Sequence, residues 1–363
     1  MGNMTPSSDK IPLWIDCDPG HDDAFAILLA AYHPSMELLG VSTVHGNSSL
    51  VNTTYNALNV LEAIGKSNIP VIPGASQPFC RPSATAEAFH GASGLEGTEL
   101  LPKSARSVFG RYNAIEEMRK VLMATQEKTA WLVAIGPLTN VALLFATYPE
   151  VATHIKGLSV MGGAIGNNFA QVSLGPSAVE NGGTTLPQGG VTPYAEFNIW
   201  CDPESARGVF QNPMLRPKTV LIPLDLTHQA CAVAEVRQKL LNGEHGATRL
   251  RMMFHELIMF YGSSYANDTE IKTGPPLHDA LAVAALLFSH ADSTLNIDIL
   301  DNGQEKWNID VVLEGEQIGR TVIVPSTGQG SIVPRSMDMD KFWKVLGQCM
   351  ARADKVTGYQ SVP

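Results

Sequence analysis

Cysteine is scarce. Cys17, Cys80, Cys201, Cys231 and Cys349 are odd in number and scattered, and no CxxC pair occurs. Neither a disulfide framework nor a zinc knuckle is expected, and the thiols read as buried and reduced. Long hydrophobic runs are missing as well. Ala24–Tyr32 and Ala280–Phe288 are the longest, well short of the ~20 residues that span a bilayer. The opening MGNMTPSSDK holds no apolar signal-peptide core, and Pro6 stands where a myristoylation signal needs Ser or Thr. Positive charge is in deficit: 25 Lys and Arg face 35 Asp and Glu, for a net charge of −10. Such a surface repels phosphate backbones, so nucleic acid is not an expected partner. No strand-following GxGxxG or P-loop exists, since Gly65-Lys-Ser67 lacks the upstream glycine. A cytoplasmic protein with no membrane contact is expected, handling a small neutral ligand or a cation held by carboxylates.

With 363 residues, 44% of them hydrophobic, the chain can bury a large core. Residues 1–10 are polar and read as a disordered tail. Ile11–Asp16 is a short apolar run ending in acid, the mark of a buried parallel strand. Asp22–Tyr32 reads as a helix stopped by His33-Pro34. Glu37–Val44 reads as a strand, Leu50–Ile64 as a helix and Ile69–Ile72 as a strand. The rhythm resumes with a helix at Asn113–Gln126, a strand at Trp131–Ile135, a helix at Leu138–Thr147 and a strand at Ile155–Met161. Pro203–Phe210 follows as a helix, Thr219–Pro223 as a strand, Val233–Tyr265 as largely helical and Asp279–Phe288 as a buried helix. Leu295–Leu300, Trp307–Leu313 and Thr321–Val324 form a late strand group, and Asp338–Met350 a last helix. This alternation predicts an α/β fold: a single-domain, open, mostly parallel, doubly wound Rossmann-like sheet flanked by helices. The domain is expected over 11–352, with a C-terminal tail over 353–363. Two stretches break the rhythm, Phe79–Phe109 and the Gly/Pro-rich segment around 169–190, which reads as an irregular insertion.

The strongest chemical signal is Asp16-Cys-Asp18-Pro-Gly20-His-Asp22-Asp23. It sits at the C-terminal end of the first expected strand, where open α/β sheets build their sites. A Pro-Gly turn can aim the flanking acids at one point. A helix N-terminus favours acids by ~0.3–1 kcal/mol each, which accounts for Asp22 and Asp23 but not for Asp16 and Asp18. Carboxylates this close repel unless a cation compensates, and hard oxygen donors suit Ca²⁺ or Mg²⁺. A haloacid dehalogenase type of phosphatase also uses Asp-x-Asp after its first strand, but it wants Thr or Val where Gly20 stands.

Asp-x-Asp-Pro-Gly-x-Asp-Asp resembles the signature of the inosine-uridine nucleoside hydrolase family. Further segments similar to that family follow in order: Val44-His-Gly-Asn47, Gly136-Pro-Leu-Thr-Asn140, Met161-Gly-Gly163, Ala195-Glu-Phe-Asn-Ile199 with Asp202-Pro-Glu204, and Leu277-His-Asp279. The resemblance spans roughly Pro12 to Val324. It implies a nucleoside hydrolase fold and Ca²⁺-dependent hydrolysis of the N-glycosidic bond of ribonucleosides, giving ribose and free base. Carried over residue by residue, it implies one Ca²⁺ held by Asp18, Asp23, Asp279 and the carbonyl of Ile135, with Asp16 in support. Asp18 would be the general base toward the attacking water. Asp22 and Asn47 would hold the 2′-hydroxyl, Glu196 and Asn198 the other ribose hydroxyls, and Met161 would pack on the sugar. His278 would protonate the leaving base, since histidine titrates near neutrality. His90 would contact the base. Tyr261 and Tyr265, four apart on one helix face, would lie over the base or pack in the core. His228 would build the pocket wall. His21 is expected to face solvent. The family is usually dimeric or tetrameric, so a homodimer or homotetramer is the implied assembly.

Two departures bear on specificity. Purine-specific relatives sandwich the base between tryptophans, and none is expected at the matching places here. Trp14, Trp131 and Trp200 sit in or beside expected strands, while Trp307 and Trp343 lie late. Pyrimidine or mixed specificity is therefore expected. The insertion also lengthens the path from Met161 to Glu196, leaving Asn167 and Asn168 as alternatives for a substrate-binding asparagine. Asn168 is favoured.

Overall fold

Seven consecutive residues with no charge until Asp16 form β1 (Ile11–Cys17), and five of them are buried. The computed structural model describes residues 10–108, 110–166, 169–170, 191–269, 271–288, 299 and 305–359. After β1 come α1 (His21–Tyr32), β2 (Met36–Thr43), α2 (Leu50–Ala63), β3 (Val71–Pro73), α3 (Glu87–His90), α4 (Ala114–Met123) and β4 (Trp131–Ala134). Then follow α5 (Thr139–Thr147), α6 (Glu150–His154), β5 (Gly157–Met161), α7 (Phe197–Cys201), α8 (Pro203–Gln211), β6 (Thr219–Ile222) and α9 (Leu224–Thr227). The chain continues with α10 (Ala234–Leu241), α11 (Arg249–Asp268), α12 (His278–Ala284), β7 (Trp307–Val311), β8 (Thr321–Pro325) and α13 (Met339–Thr357).

The six strands β1 to β6 form one sheet in the order β3-β2-β1-β4-β5-β6, and every pairing is parallel. The expected doubly wound sheet is present. The order reverses between β1 and β4, and a crevice opens at the C-terminal ends of strands at such a switch point. β7 and β8 form a separate antiparallel pair.

Period-two alternation splits the core between the two faces of the sheet. Leu13, Ile15 and Val133 join the cluster that α1, α11, α12 and α13 complete. Trp14, Leu132 and Leu158 join the cluster completed by α4, α5 and α8. Burial on both faces explains why these strands read as continuous apolar runs rather than alternating ones.

Several boundaries move. The single helical stretch expected over Val233–Tyr265 divides into α10 and α11, separated by a turn at Asn242–Gly246. The last helix runs to Thr357 instead of Met350, ended by Gly358 in the left-handed conformation (φ 82°), a usual stop for a helix. The Ala195–Ile199 motif, given no element from sequence, carries α7. The strand expected at Leu295–Leu300 lies outside the described residues except for Ile299, which bridges Met337. Nearly all of the 169–190 insertion also lies outside them.

Candidate active site

The acidic turn leaves the end of β1 at the switch point. Asp16 closes the strand and is fully buried; it accepts from Ser42 Oγ at 2.5 Å and Asn140 Nδ2 at 2.8 Å. Asp18 follows in the turn. Its Oδ2 accepts from the backbone N–H of Asn47 at 2.7 Å, which ties the ends of β1 and β2 together. Two glycines make room for it. A Cβ on Gly46 would lie 2.0 Å from Asp18 Oδ2, and one on Gly136 would lie 2.6 Å from Oδ1. Gly46 also adopts φ 153°. These contacts give the Val-His-Gly-Asn and Gly-Pro-Leu-Thr-Asn motifs their glycines.

Asp22 and Asp23 occupy the first turn of α1, and Asp279 the first turn of α12. Both helix N-termini thus point their partial positive charge at one cluster of acids. Donor atoms of Asp22, Asp23 and Asp279 all lie within 4.8 Å of one another. The converging trio holds Asp22 where the resemblance implied Asp18; the Asp18 carboxylate is near enough to feel the charge of Asp23, and Asn47 Nδ2 donates to the Asp18 backbone carbonyl at 3.1 Å and to Asp23 Oδ2 at 3.3 Å.

Dense burial of acids has an electrostatic signature. Loss of hydration, joined by the charge of Asp23, pushes Asp18 well above the usual carboxylate range. The same two causes bring Asp22 to about 8. Burial raises Asp23 to about 6, against the hydrogen bond it accepts from Gly20 N–H. Asp279 is raised by burial and by Asp22, Asp23 and Asp18. Repulsion of this kind is relieved when a cation sits among the carboxylates. Asp18 Oδ1 and Asp23 Oδ1 are buried and have no hydrogen-bond partner. Two bare oxygens on adjoining acids, beside a third acid and the carbonyl end of β4, match the donor set of a hard divalent cation.

A cavity of about 470 Å³ opens above this cluster. Asp22, Asn47, Ile135, Met161 and Asp279 line its acidic end. Glu196 and Asn198, from α7, line an adjoining wall. Glu196 caps α7, accepting from Asn198 N at 2.8 Å and Ile199 N at 3.0 Å, and it also takes Gly163 N–H at 2.9 Å. Asn198 Nδ2 reaches Ile135 O at 3.3 Å. The Met-Gly-Gly and Glu-Phe-Asn motifs are therefore one structural unit despite the insertion between them.

The other end is aromatic. His90, Tyr261, Tyr265 and His278 line it. His278 Nε2 lies 2.6 Å from Tyr265 Oη and its Nδ1 lies 2.7 Å from Thr227 Oγ1. Burial, with His228 in support, holds the His278 imidazole neutral well below the ordinary histidine value. His228 is buried, with its ring centroid 5.5 Å from that of His278. It stands behind the wall, since it is not among the residues that line the cavity.

Eleven of the residues singled out from sequence thus share one cavity, and Asp18 and Asp23 adjoin its floor. Asn167 and Asn168 lie outside the described residues. Two expectations are overturned. His21 does not face solvent: it is fully buried, and its ring is stacked between neighbouring aromatic side chains. Trp200 does not lie beside a strand. It sits on α7 and lines the cavity. Asp202 caps α8 by accepting from Ser205 N–H at 3.1 Å, and it marks the boundary between the two short helices. Thr227, the partner of His278, was also missed; nothing in its local sequence marks it.

Comparison with known proteins gives the family. Residues 13–344 match the model of the family described as inosine-uridine preferring nucleoside hydrolase. A uridine nucleosidase of Saccharomyces cerevisiae is 35% identical over 96% of this chain and 98% of its own. A pyrimidine-specific ribonucleoside hydrolase of Escherichia coli is 32% identical over 94% and 97%. Among solved structures, a purine-preferring ribonucleoside hydrolase from Gardnerella vaginalis superposes with a TM-score of 0.75 at 24% identity, covering 95% of this chain and 99% of that one. The chain belongs to the inosine-uridine preferring nucleoside hydrolase family, and its reaction is the hydrolysis of N-glycosyl bonds in ribonucleosides.

Proposed function

We propose that this member of the nucleoside hydrolase family cleaves uridine, inosine and related ribonucleosides with one Ca²⁺ bound at the acidic end of the cavity. The observation that carries the proposal is the pair of buried, unpartnered oxygens, Asp18 Oδ1 and Asp23 Oδ1, at the floor of a cavity of nucleoside size. Asp18, Asp23, Asp279 and the carbonyl of Ile135 would hold the ion. Bound there, Ca²⁺ supplies positive charge that lowers the pKa of the attacking water.

The remaining steps fall to side chains. Asp18 takes the proton that water gives up as its oxygen bonds to the anomeric carbon. Asp22 and Asn47 hold the 2′-hydroxyl, and Glu196 and Asn198 the other hydroxyls, with Met161 against the sugar. Anchoring the hydroxyls lets remote binding energy act on a transition state of oxocarbenium character. The C–N bond breaks toward the base, which leaves as an anion unless it gains a proton. The Tyr265 hydroxyl gives that proton to the departing base and takes one in turn from the imidazolium form of His278, bonded to it at Nε2; burial disfavours that cation and so makes it a strong acid. Thr227 at Nδ1 fixes the ring. His90 and Tyr261 face the base. Trp200 in the cavity removes the missing tryptophans as a ground for pyrimidine or mixed specificity; that specificity now rests on the histidines of the wall and is in keeping with the names of the two sequence relatives.

The test is release of free base from uridine, cytidine, inosine and uridine monophosphate, before and after prolonged EDTA treatment. Nucleosides should be cleaved and the monophosphate spared. Stripping should abolish turnover, and Ca²⁺ should restore it. The melting temperature should fall when the metal is stripped, because a ligand at 100 times its Kd stabilises a fold by about 2.7 kcal/mol. Full activity in metal-free protein would overturn the reading, and so would phosphate release from the monophosphate.

A further inference from the structure

His21 interrupts the acidic motif, and the chemistry above makes no use of it. It is fully buried. Its Nδ1 lies 3.0 Å from His90 Nδ1, and its Nε2 lies 2.8 Å from the carbonyl oxygen of Glu96. A carbonyl only accepts, so Nε2 carries a proton and donates it. The ring is stacked on Phe260 (centroids 5.2 Å, 6° between planes) and on Tyr261 (5.3 Å, 4°). It also stacks on His90 at 5.2 Å and 24°.

These contacts join three separate parts of the chain. His21 stands at the first position of α1, directly before Asp22. His90 and Glu96 lie at the two ends of a reversing loop closed by the bond from Glu96 N–H to His90 O at 3.2 Å. Phe260 and Tyr261 belong to α11. The loop is pressed down hard: a Cβ on Gly20 would lie 2.5 Å from His90 Nδ1, and one on Gly97 would lie 2.4 Å from Phe260 Cβ. With Nδ1 engaged by His21, Nε2 is the His90 ring nitrogen left for the cavity.

We propose that His21 is a positioning residue for base recognition: it seats His90 and the 90–97 loop against α1 and α11, so that the imidazole of His90 is held ready for the base edge of the nucleoside. The inference rests on the reading of His90 as a base contact. It adds that the acidic motif does two jobs, with Asp18, Asp22 and Asp23 serving the cation and ribose while the residue among them serves the base.

The test compares His21→Ala, His21→Phe, His90→Ala and the His21→Ala/His90→Ala double variant in Ca²⁺-loaded enzyme. His21→Phe keeps a ring for the stack and the backbone N–H that reaches His90 Nδ1 at 3.3 Å, but loses both ring-nitrogen contacts, so melting temperature separates a folding defect from a positioning defect. Either His21 variant is expected to raise KM for uridine tenfold or more while kcat changes less than KM does. Competitive inhibition by free ribose should stay within twofold of wild type. The double variant should be no worse than the more damaging of the two single variants, because both remove the same contact. Wild-type KM in a folded His21→Phe would overturn the inference. So would losses that multiply in the double variant, or ribose affinity that falls in step with KM. A silent His90→Ala removes the base-contact reading beneath it; a damaging His90→Ala beside silent His21 variants overturns this inference alone.

Discussion

The two ends of the cavity are built differently. The acidic end is made at the C-terminal ends of β1, β2 and β4 and the first turns of α1 and α12, all within the central sheet and its nearest helices. Its donors hang on short backbone tethers, and Gly46 and Gly136 leave no space for anything but the Asp18 carboxylate. The base end is assembled from α11, the segment that ends in α3, His278 of α12 and Trp200 of α7, none of them part of the sheet, although the same α7 also turns Asn198 toward Ile135 O. On the proposed reading, chemistry common to every nucleoside falls to the part built on the sheet, and discrimination among bases to the helices and loop around it. Damage should therefore be deep and indifferent to substrate at the acidic end, and shallower and base-dependent at the other.

Asp18→Asn gives the largest expected effect and the strongest test of that contrast. The amide keeps the shape of the side chain and can still accept from Asn47 N–H, so the fold should survive. It cannot take a proton from water. Loss of a general base costs about 10²–10⁴-fold in turnover, and the same factor should appear for uridine and inosine alike. A loss confined to one base would break the comparison, since it would mean that the acidic end also reads the base.

His278→Ala comes next, and its effect should depend on the leaving group. Nucleosides need a proton on the departing base, so their kcat should fall about 10²-fold or more. A p-nitrophenyl riboside departs without that help and should lose less than tenfold. Steady-state rates on both substrates check this; equal losses would remove His278 and Tyr265 from proton delivery and leave them as wall.

The same contrast governs what the sequence reveals. The acidic end is legible because its geometry is local: four carboxylates between Asp16 and Asp23 follow an apolar strand, and strand ends are where such sheets place sites. Asp279 and Asn47 come from distant segments but sit in short motifs of their own at element starts. The base end depends on tertiary packing that no local pattern encodes. His21 looks exposed because it stands in a polar turn, yet helix α11 and the 90–97 loop cover it. Thr227 meets His278 across 51 positions. Trp200 follows Glu-Phe-Asn closely, but a helix of five residues is too short to show a periodicity, so its place on α7 could not be read.

Trp200→Ala carries the smallest expected effect and tests the other half of the contrast. The indole is one of several aromatic surfaces around the cavity, together with Phe89, Tyr261 and Tyr265. An aromatic contact is worth about 0.5–1.5 kcal/mol beyond its buried area, which corresponds to roughly two- to tenfold in affinity. KM should rise by that factor, more for one base than another, while kcat stays within about twofold because the indole makes no hydrogen bond or ring contact with Asp18 or His278. Steady-state kinetics on uridine and inosine measure both quantities. If kcat collapsed for both substrates, α7 would be coupled to the reaction centre through Asn198 and Ile135 O, and the division of labour between a chemical end built on the sheet and a recognition end around it would not hold.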